Sequence, residues 1–329
     1  MIASIAFRNF KALRHTRVPL LPFNLIIGPN GSGKTSLIEG LMRLRTLSRL
    51  PLSSGDLPAQ RSGGPQIEFH FTPPHDGMVV RLGCVSDLVC DTLHLAPPGA
   101  AGWPGLRDEI GTIRSYVLEH EAMTKASSRQ DGAELSPDGG NLAAVLWHLR
   151  ERAPGAFSAL AEELLRIMPE FRSLQLLEPA EGRVEFALQL TDDGVVPAAE
   201  LSQGMLYLVG VLALAFDPDP PRVLCIEEVD RGIHPRTLRE IRDALYRLCY
   251  PKSYGSDRRP VQIVTTSHSP YFIDLFRDHP EEVVISEKRG REAQFARLSD
   301  RKDLAELLRE GSLGDMWFSG ILGGVPEER

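Results

Sequence analysis

An α/β fold with an open central sheet is predicted by three stretches of the sequence. Phe23, Leu25, Ile26 and Ile27 form a short apolar run that breaks into a glycine-rich turn and then into a helix-periodic segment. Val223, Leu224, Cys225 and Ile226 make a second buried strand, which stops at Glu227-Glu228. Residues 261–266 make a third, closed by Ser267-His268-Ser269-Pro270. In open α/β sheets, ligands gather at the carboxyl ends of such strands.

Bulk properties bound the reading. The 329 residues suffice for a substantial core, as one large domain with an insertion or two smaller ones. A net charge of -7 argues against a generally basic nucleic-acid coat, and leaves room for a local basic patch. Cys84, Cys90, Cys225 and Cys249 show no Cys-x-x-Cys spacing and are read as free thiols. No apolar stretch reaches membrane-spanning length, and the N-terminus has no basic-then-apolar leader, so the expectation is a cytoplasmic protein with no membrane partner.

The first element is the strand Ile2–Phe10, which turns through residues 9–13 toward Val18 and Leu20 as a small antiparallel sheet. Arg8 and Lys11 there face either solvent or a nucleotide. After the apolar run comes Gly28-Pro29-Asn30-Gly31-Ser32-Gly33-Lys34-Thr35. Glycines let the backbone curl so that successive N–H groups point inward, and the following helix adds its positive end. Lys34 reaches β- and γ-phosphates as a point charge, and the Thr35 hydroxyl takes one position on a magnesium ion. The candidate phosphate-binding set is Asn30, Gly31, Ser32, Gly33, Lys34, Thr35 and Ser36. Leu37, Leu41 and Leu44 then recur at helical spacing.

Residues 51–65 read as a loop, followed by strand-like runs at 67–71, 78–85 and 92–95 that suggest an antiparallel layer. Gln60 and Gln66 are both open as a magnesium- or water-contacting glutamine. Residues 108–121 look helical, and 124–140 are polar enough to be mobile. Helices at 142–152 and 157–168 and a hairpin from 174 to 190 complete a middle region that reads as a mainly helical insertion.

Glu200-Leu201-Ser202-Gln203-Gly204-Met205 precedes an apolar run from 206 to 216, a buried helix with Ser202 at its N-cap. Such a terminus is either an ordinary serine cap or an anion site. Adjacent strand residues point to opposite faces, so Glu227 and Glu228 have different jobs: one holds magnesium through its water shell, the other deprotonates an attacking water. Residues 235–248 form a helix whose arginines alternate with acids, read as a salt-bridged face rather than a DNA-facing one. His268, at the third strand's end, can hydrogen-bond a γ-phosphate.

Taken in order, Gly28 to Thr35, Leu201-Ser202-Gln203-Gly204, Ile226-Glu227-Glu228 and Thr265-Thr266-Ser267-His268-Ser269-Pro270 resemble the motifs of ABC-type ATPases, more narrowly of RecF-like and OLD-like AAA ATPases. The resemblance implies a P-loop NTPase of ABC-ATPase type, with a mixed central sheet, an antiparallel β subdomain and a helical insertion. It implies lobes at 1–100, 101–198 and 199–329 within one ATPase domain. It further implies ATP and Mg2+ as ligands and a homodimer in which two heads sandwich two ATP molecules. Ser202 and Gly204 then act in trans, while Lys34, Thr35, Glu227, Glu228 and His268 act in cis. Val229-Asp230 stands where relatives often have Pro-Glu, and Met205 replaces a glutamine. The sixty or so residues after His268 are too few for a nuclease domain, and no heptad arm is present, so an effector such as a nuclease is expected from another chain. The implied role is an ATPase that controls a partner in DNA repair or anti-phage defence, with DNA binding possible. A slow ATP timer and a transporter motor are the competing readings.

Overall fold

The computed structural model describes residues 1–52 and 63–323. Two compact units emerge, one of Met1–Ser115, Pro221–Cys225 and Arg259–Arg329, the other of Tyr116–Pro220 and Ile226–Arg258. The chain leaves the first unit twice and returns twice.

The first unit opens with β1 (Ile2–Phe10), β2 (Leu13–Pro19), β3 (Phe23–Ile27) and α1 (Lys34–Ser48). β4 (Gln66–Phe71), β5 (Val79–Cys84), β6 (Cys90–Ala96) and α2 (Trp103–Gly111) follow. An antiparallel sheet runs β2-β1-β4-β5-β6. Period-two alternation puts Ile67, Phe69 and Phe71 on the buried face, with Ile5 opposite Phe69 and Phe7 opposite Ile67. Leu37, Leu41 and Leu44 of α1 join the same core. Gly40 allows the approach, since a Cβ there would lie 2.9 Å from the Phe7 ring.

The central sheet has the order β15-β14-β3-β13-β12-β7. Its other strands are β7 (Arg114–Tyr116), β12 (Val223–Ile226), β13 (Gln262–Thr266), β14 (Val283–Arg289) and β15 (Glu292–Arg297). β3 is flanked by β13 and β14, both parallel to it, and β15 closes the edge antiparallel to β14. Burial on both faces explains why all five β3 residues are buried, Asn24 included. Asn24 is tolerated because its side chain bonds the Leu21 N–H at 2.9 Å and the Ile263 carbonyl at 3.0 Å. α8 (Pro270–Asp274), α9 (Leu304–Glu310) and α10 (Leu313–Phe318) finish this unit.

The second unit holds α3 (His120–Met123), β8 (Ser127–Ser128), α4 (Leu142–Arg152), α5 (Pro154–Ile167) and β9 (Phe171–Ala180). It continues with β10 (Arg183–Leu190), β11 (Val195–Pro197), α6 (Gln203–Ala215) and α7 (Leu238–Cys249). β10 pairs with β9 along its length and with β8 and β11 near its ends. Every residue of α6 from Leu206 to Ala215 is buried, as its uniformly apolar sequence requires. α7 buries Leu238, Ile241, Leu245 and Leu248, and its polar side carries the expected ion pairs, among them Arg166 with Glu240 and Arg247 with Glu163 at 3.4 Å.

Four expectations are corrected. The helix expected over 108–121 ends at Gly111, and a three-residue strand, β7, occupies 114–116. The middle region is mixed, because β8 to β11 form a sheet within it. Residues 124–140 are anchored: the Asn141 side chain accepts from the Ser136 N–H at 2.7 Å and donates to the Glu134 carbonyl at 2.8 Å, and Leu135 is buried. Cys84 and Cys90 form a disulfide, because the β5–β6 ladder sets them opposite one another, while Cys225 and Cys249 are free and buried as expected. Gln60 and most of the expected 51–65 loop lie outside the described residues, and no described helix is long and apolar enough to cross a membrane.

Gln262 links the start of the chain to the central sheet. Its side chain, 1% exposed, accepts from the Ile2 N–H at 2.9 Å and donates to the carbonyls of Ile2 at 2.8 Å and Leu21 at 3.0 Å. Gln262→Leu strands these backbone groups and is expected to lower the unfolding free energy by about 1–3 kcal/mol in urea titration. An unchanged midpoint would show that the three bonds contribute nothing net.

Candidate nucleotide-binding site

The phosphate loop is shaped by exclusion. β3 ends at Ile27, and a Cβ on Gly28 would lie 2.2 Å from the Ser286 carbonyl oxygen, so only glycine fits against β14. Gly31 and Gly33 take φ of 77° and 97°, left-handed values that a side chain resists. α1 then starts at Lys34 with Gly33 as its N-cap and no side-chain cap. Helix N-termini of this kind carry a partial positive charge.

Lys34 is only 8% exposed, and its Nζ donates to the carbonyls of Gly28 at 2.7 Å and Pro29 at 2.9 Å. The ammonium lies inside the loop, where its charge is paired with backbone dipoles. Asn30 and Thr35 are exposed, Ser36 is half-buried and Ser32 is fully buried. The Ser32 hydroxyl thus faces inward, where it meets Ser286 Oγ at 2.9 Å, and only its backbone is placed to serve a phosphate.

His268 belongs to the same unit and is exposed. The Ser267 N–H bonds the Ile26 carbonyl at 3.3 Å, so the His268 turn leaves the sheet level with the start of the phosphate loop. Ser267 Oγ accepts from the Ser269 N–H at 3.0 Å, and Ser269 Oγ caps α8 through the Phe272 N–H at 3.3 Å. The turn is held on both sides of the imidazole.

The second unit carries Ser202, Gly204, Glu227 and Glu228. Ser202 is exposed and caps α6, its Oγ accepting from the Met205 N–H at 3.4 Å. Gly204 packs on the turn after the acidic pair, where a Cβ would lie 2.5 Å from the Gly232 carbonyl oxygen. Gly232 in turn takes φ of 71° and abuts the Gln203 side chain. The Glu227 N–H bonds the Tyr116 carbonyl at 3.0 Å. Glu228 has a φ of 49°, is 52% exposed, and has Arg231 3.8 Å away.

Two participants escaped the sequence reading, Ser286 and Gly232. Ser286 had a signal, a lone polar residue ending the apolar run Val283-Val284-Ile285. Gly232 had none beyond its place in a turn.

With this geometry in hand, comparison with known proteins is decisive for the family. A family described as "AAA domain, putative AbiEii toxin, Type IV TA system" matches residues 23–274, which runs from the first residue of β3 to the last of α8. The chain belongs to this family. Among curated proteins, this AAA-family chain is 23% identical to the OLD nuclease of Thermus scotoductus, covering 95% of this chain and 68% of that protein. It is 29% identical over 124 residues to the DNA replication and repair protein RecF of Nocardioides sp., covering 37% of this chain and 29% of the relative's length. Among solved structures, an SMC head bound to the C-terminal winged-helix domain of ScpA superposes with a TM-score of 0.63 at 16% identity, covering 92% of this chain and 99% of that one. The SMC head domain from Thermotoga maritima gives a TM-score of 0.52 at 13% identity, covering 90% and 98%. The fold is that of a P-loop ATPase head.

The Gly204 contact yields a test of this geometry. Gly204→Ala must displace the turn at 230–233, because the obstructing atom is backbone. Its expected cost is about 1–3 kcal/mol of stability. Faster hydrogen exchange at 230–233 is the measurement, and unaltered exchange there would contradict the packing described.

Proposed function

We propose that this chain is an ATP-hydrolysing head that closes on ATP as a homodimer and passes that state to a partner effector, in DNA repair or in defence against foreign DNA. The observation that carries the reading is the buried Lys34 ammonium within a loop whose glycines admit no Cβ or need positive φ, at the uncapped start of α1. Such a loop fits a triphosphate, because backbone donors, a fixed cation and a helix terminus converge on one anion.

Thr35 and Glu227 supply hard oxygen ligands of the kind magnesium takes, and would hold it when bound, where it neutralises charge on the phosphate oxygens. Asn30, Gly31, Ser32, Gly33 and Ser36 bind the phosphates beside Lys34. Glu228 is assigned to take the proton of the attacking water, and its exposed carboxylate suits a group that must meet solvent. His268 is assigned to the γ-phosphate. Ser202 and Gly204 are assigned to the nucleotide of the second subunit, and the exposure of the Ser202 turn is in keeping with that. The DNA-related role draws on the names of the RecF and OLD relatives, an analogy rather than a property of the site.

Two variants test the assignment. Lys34→Ala is expected to weaken ATP binding at least about a hundredfold, the worth of two bonds to a charged group. Glu228→Gln is expected to bind ATP normally, to lose phosphate release, and to accumulate as dimer at saturating Mg-ATP by light scattering. A monomeric Glu228→Gln protein under those conditions would sink the sandwich.

A further inference from the structure

Ser286 lies outside every motif discussed above, yet it is fully buried behind the phosphate loop. It sits on β14, the strand that runs parallel to β3, one residue past the Ile285–Ile27 pair. Its hydroxyl donates to the Ser32 carbonyl oxygen at 2.6 Å and also lies within hydrogen-bond reach of the Ser32 hydroxyl oxygen, at 2.9 Å. Both partners are at 0% exposure, so no water competes for these bonds.

The consequence follows from the planarity of the peptide. In a trans peptide the C=O of one residue and the N–H of the next point in opposite directions. Holding the Ser32 carbonyl inward against Ser286 therefore turns the Gly33 N–H outward, toward the side of the loop away from β14. Gly33 has φ of 97°, and a glycine rotates freely unless something fixes it. The nearest atoms to a Cβ there would be Ala293 Cβ at 3.0 Å and Leu13 Cδ2 at 3.2 Å, which fence the residue but cannot orient its N–H. A hydrogen bond to the preceding carbonyl sets that plane, and Ser286 makes one.

We propose that Ser286 is a positioning residue for the nucleotide: through the Ser32 carbonyl it presets the Gly33 N–H as a phosphate donor. It touches no phosphate itself. The inference rests on the phosphate-binding reading of the loop and names a residue that reading did not include. Its effect is on binding, because a misdirected donor weakens the grip on the phosphate without altering Glu228 or the acceptor water.

Ser286→Ala removes the donor with little change of volume. It is expected to raise the dissociation constant for a fluorescent ATP analogue about tenfold, the worth of one hydrogen bond to a charged group, with kcat at saturation within about twofold of the parent. Ser32→Ala keeps the Ser32 carbonyl and its bond, so it is expected to lose less, and the double variant is expected to match Ser286→Ala alone. Should Ser286→Ala fail to fold, Ser286→Cys, which places a weaker donor at the same point, takes its place with an expected intermediate affinity. A parent protein that binds the analogue and a folded Ser286→Ala or Ser286→Cys that binds it equally well overturn this inference alone. A parent that does not bind it overturns the function from which the inference starts. A variant with a lower unfolding midpoint and parental affinity assigns Ser286 a structural role and also overturns the proposal.

Discussion

A lysine ammonium held inside a loop of backbone is the constraint on which the first unit is built. Burying a charge is costly unless its hydrogen-bonding capacity is met, and Lys34 meets it with the carbonyls of Gly28 and Pro29. Those carbonyls are within reach only because the chain reverses sharply at the end of β3. The reversal is possible only because residue 28 has no side chain to strike β14. Three strands in parallel register, β13, β3 and β14, bring that end to a common level. The apolar run, the glycines and the lysine are thus one device, and altering any part exposes or strands the charge.

The second unit solves a different problem with similar means. α6 is apolar on every side and must be surrounded, which α4, α5 and α7 accomplish. Its first turn is the exception, since Ser202 is exposed. That end is clamped from beneath: Gly204 lies against Gly232, the Tyr207 hydroxyl reaches the Leu118 carbonyl, and the His120 ring meets the Leu201 carbonyl at 3.2 Å. A helix terminus fixed this firmly holds an exposed serine without loss of order.

Much of this was legible in the sequence, and the reasons are specific. The sequence reading of a helix over 142–152, broken before Pro154, coincides with the bounds of α4. The phosphate loop and the Ser202 cap follow from residue type and spacing alone. The losses were of two kinds. β7 has three residues, too few to show a period, and the helix-like pattern around it swallowed it. Residues 124–140 have a composition that suggests mobility, but one asparagine side chain at 141 ties down the carbonyls of Asp131 and Glu134 and the N–H of Ser136. Composition sees the average of a segment and not a single anchoring side chain. The Cys84–Cys90 pair was missed likewise, since a strand register and not a spacing motif brings the two together.

The acidic pair is where local geometry says most about division of labour. The Glu227 N–H bonds the Tyr116 carbonyl, which carries the pairing of β12 with β7 one residue past the end of the strand. Glu228 leaves that register with a φ of 49°, a conformation that costs a non-glycine residue about 1–3 kcal/mol and persists only where the surroundings enforce it. Here the enforcement is the next turn, in which the Arg231 N–H bonds the Glu228 carbonyl at 2.9 Å and the Ile233 N–H bonds that of Asp230 at 3.1 Å. That turn holds Val229 and Asp230. The result is two adjacent carboxylates on unlike backbone: one at the end of a paired strand, the other at a strained turn with its side chain 52% exposed.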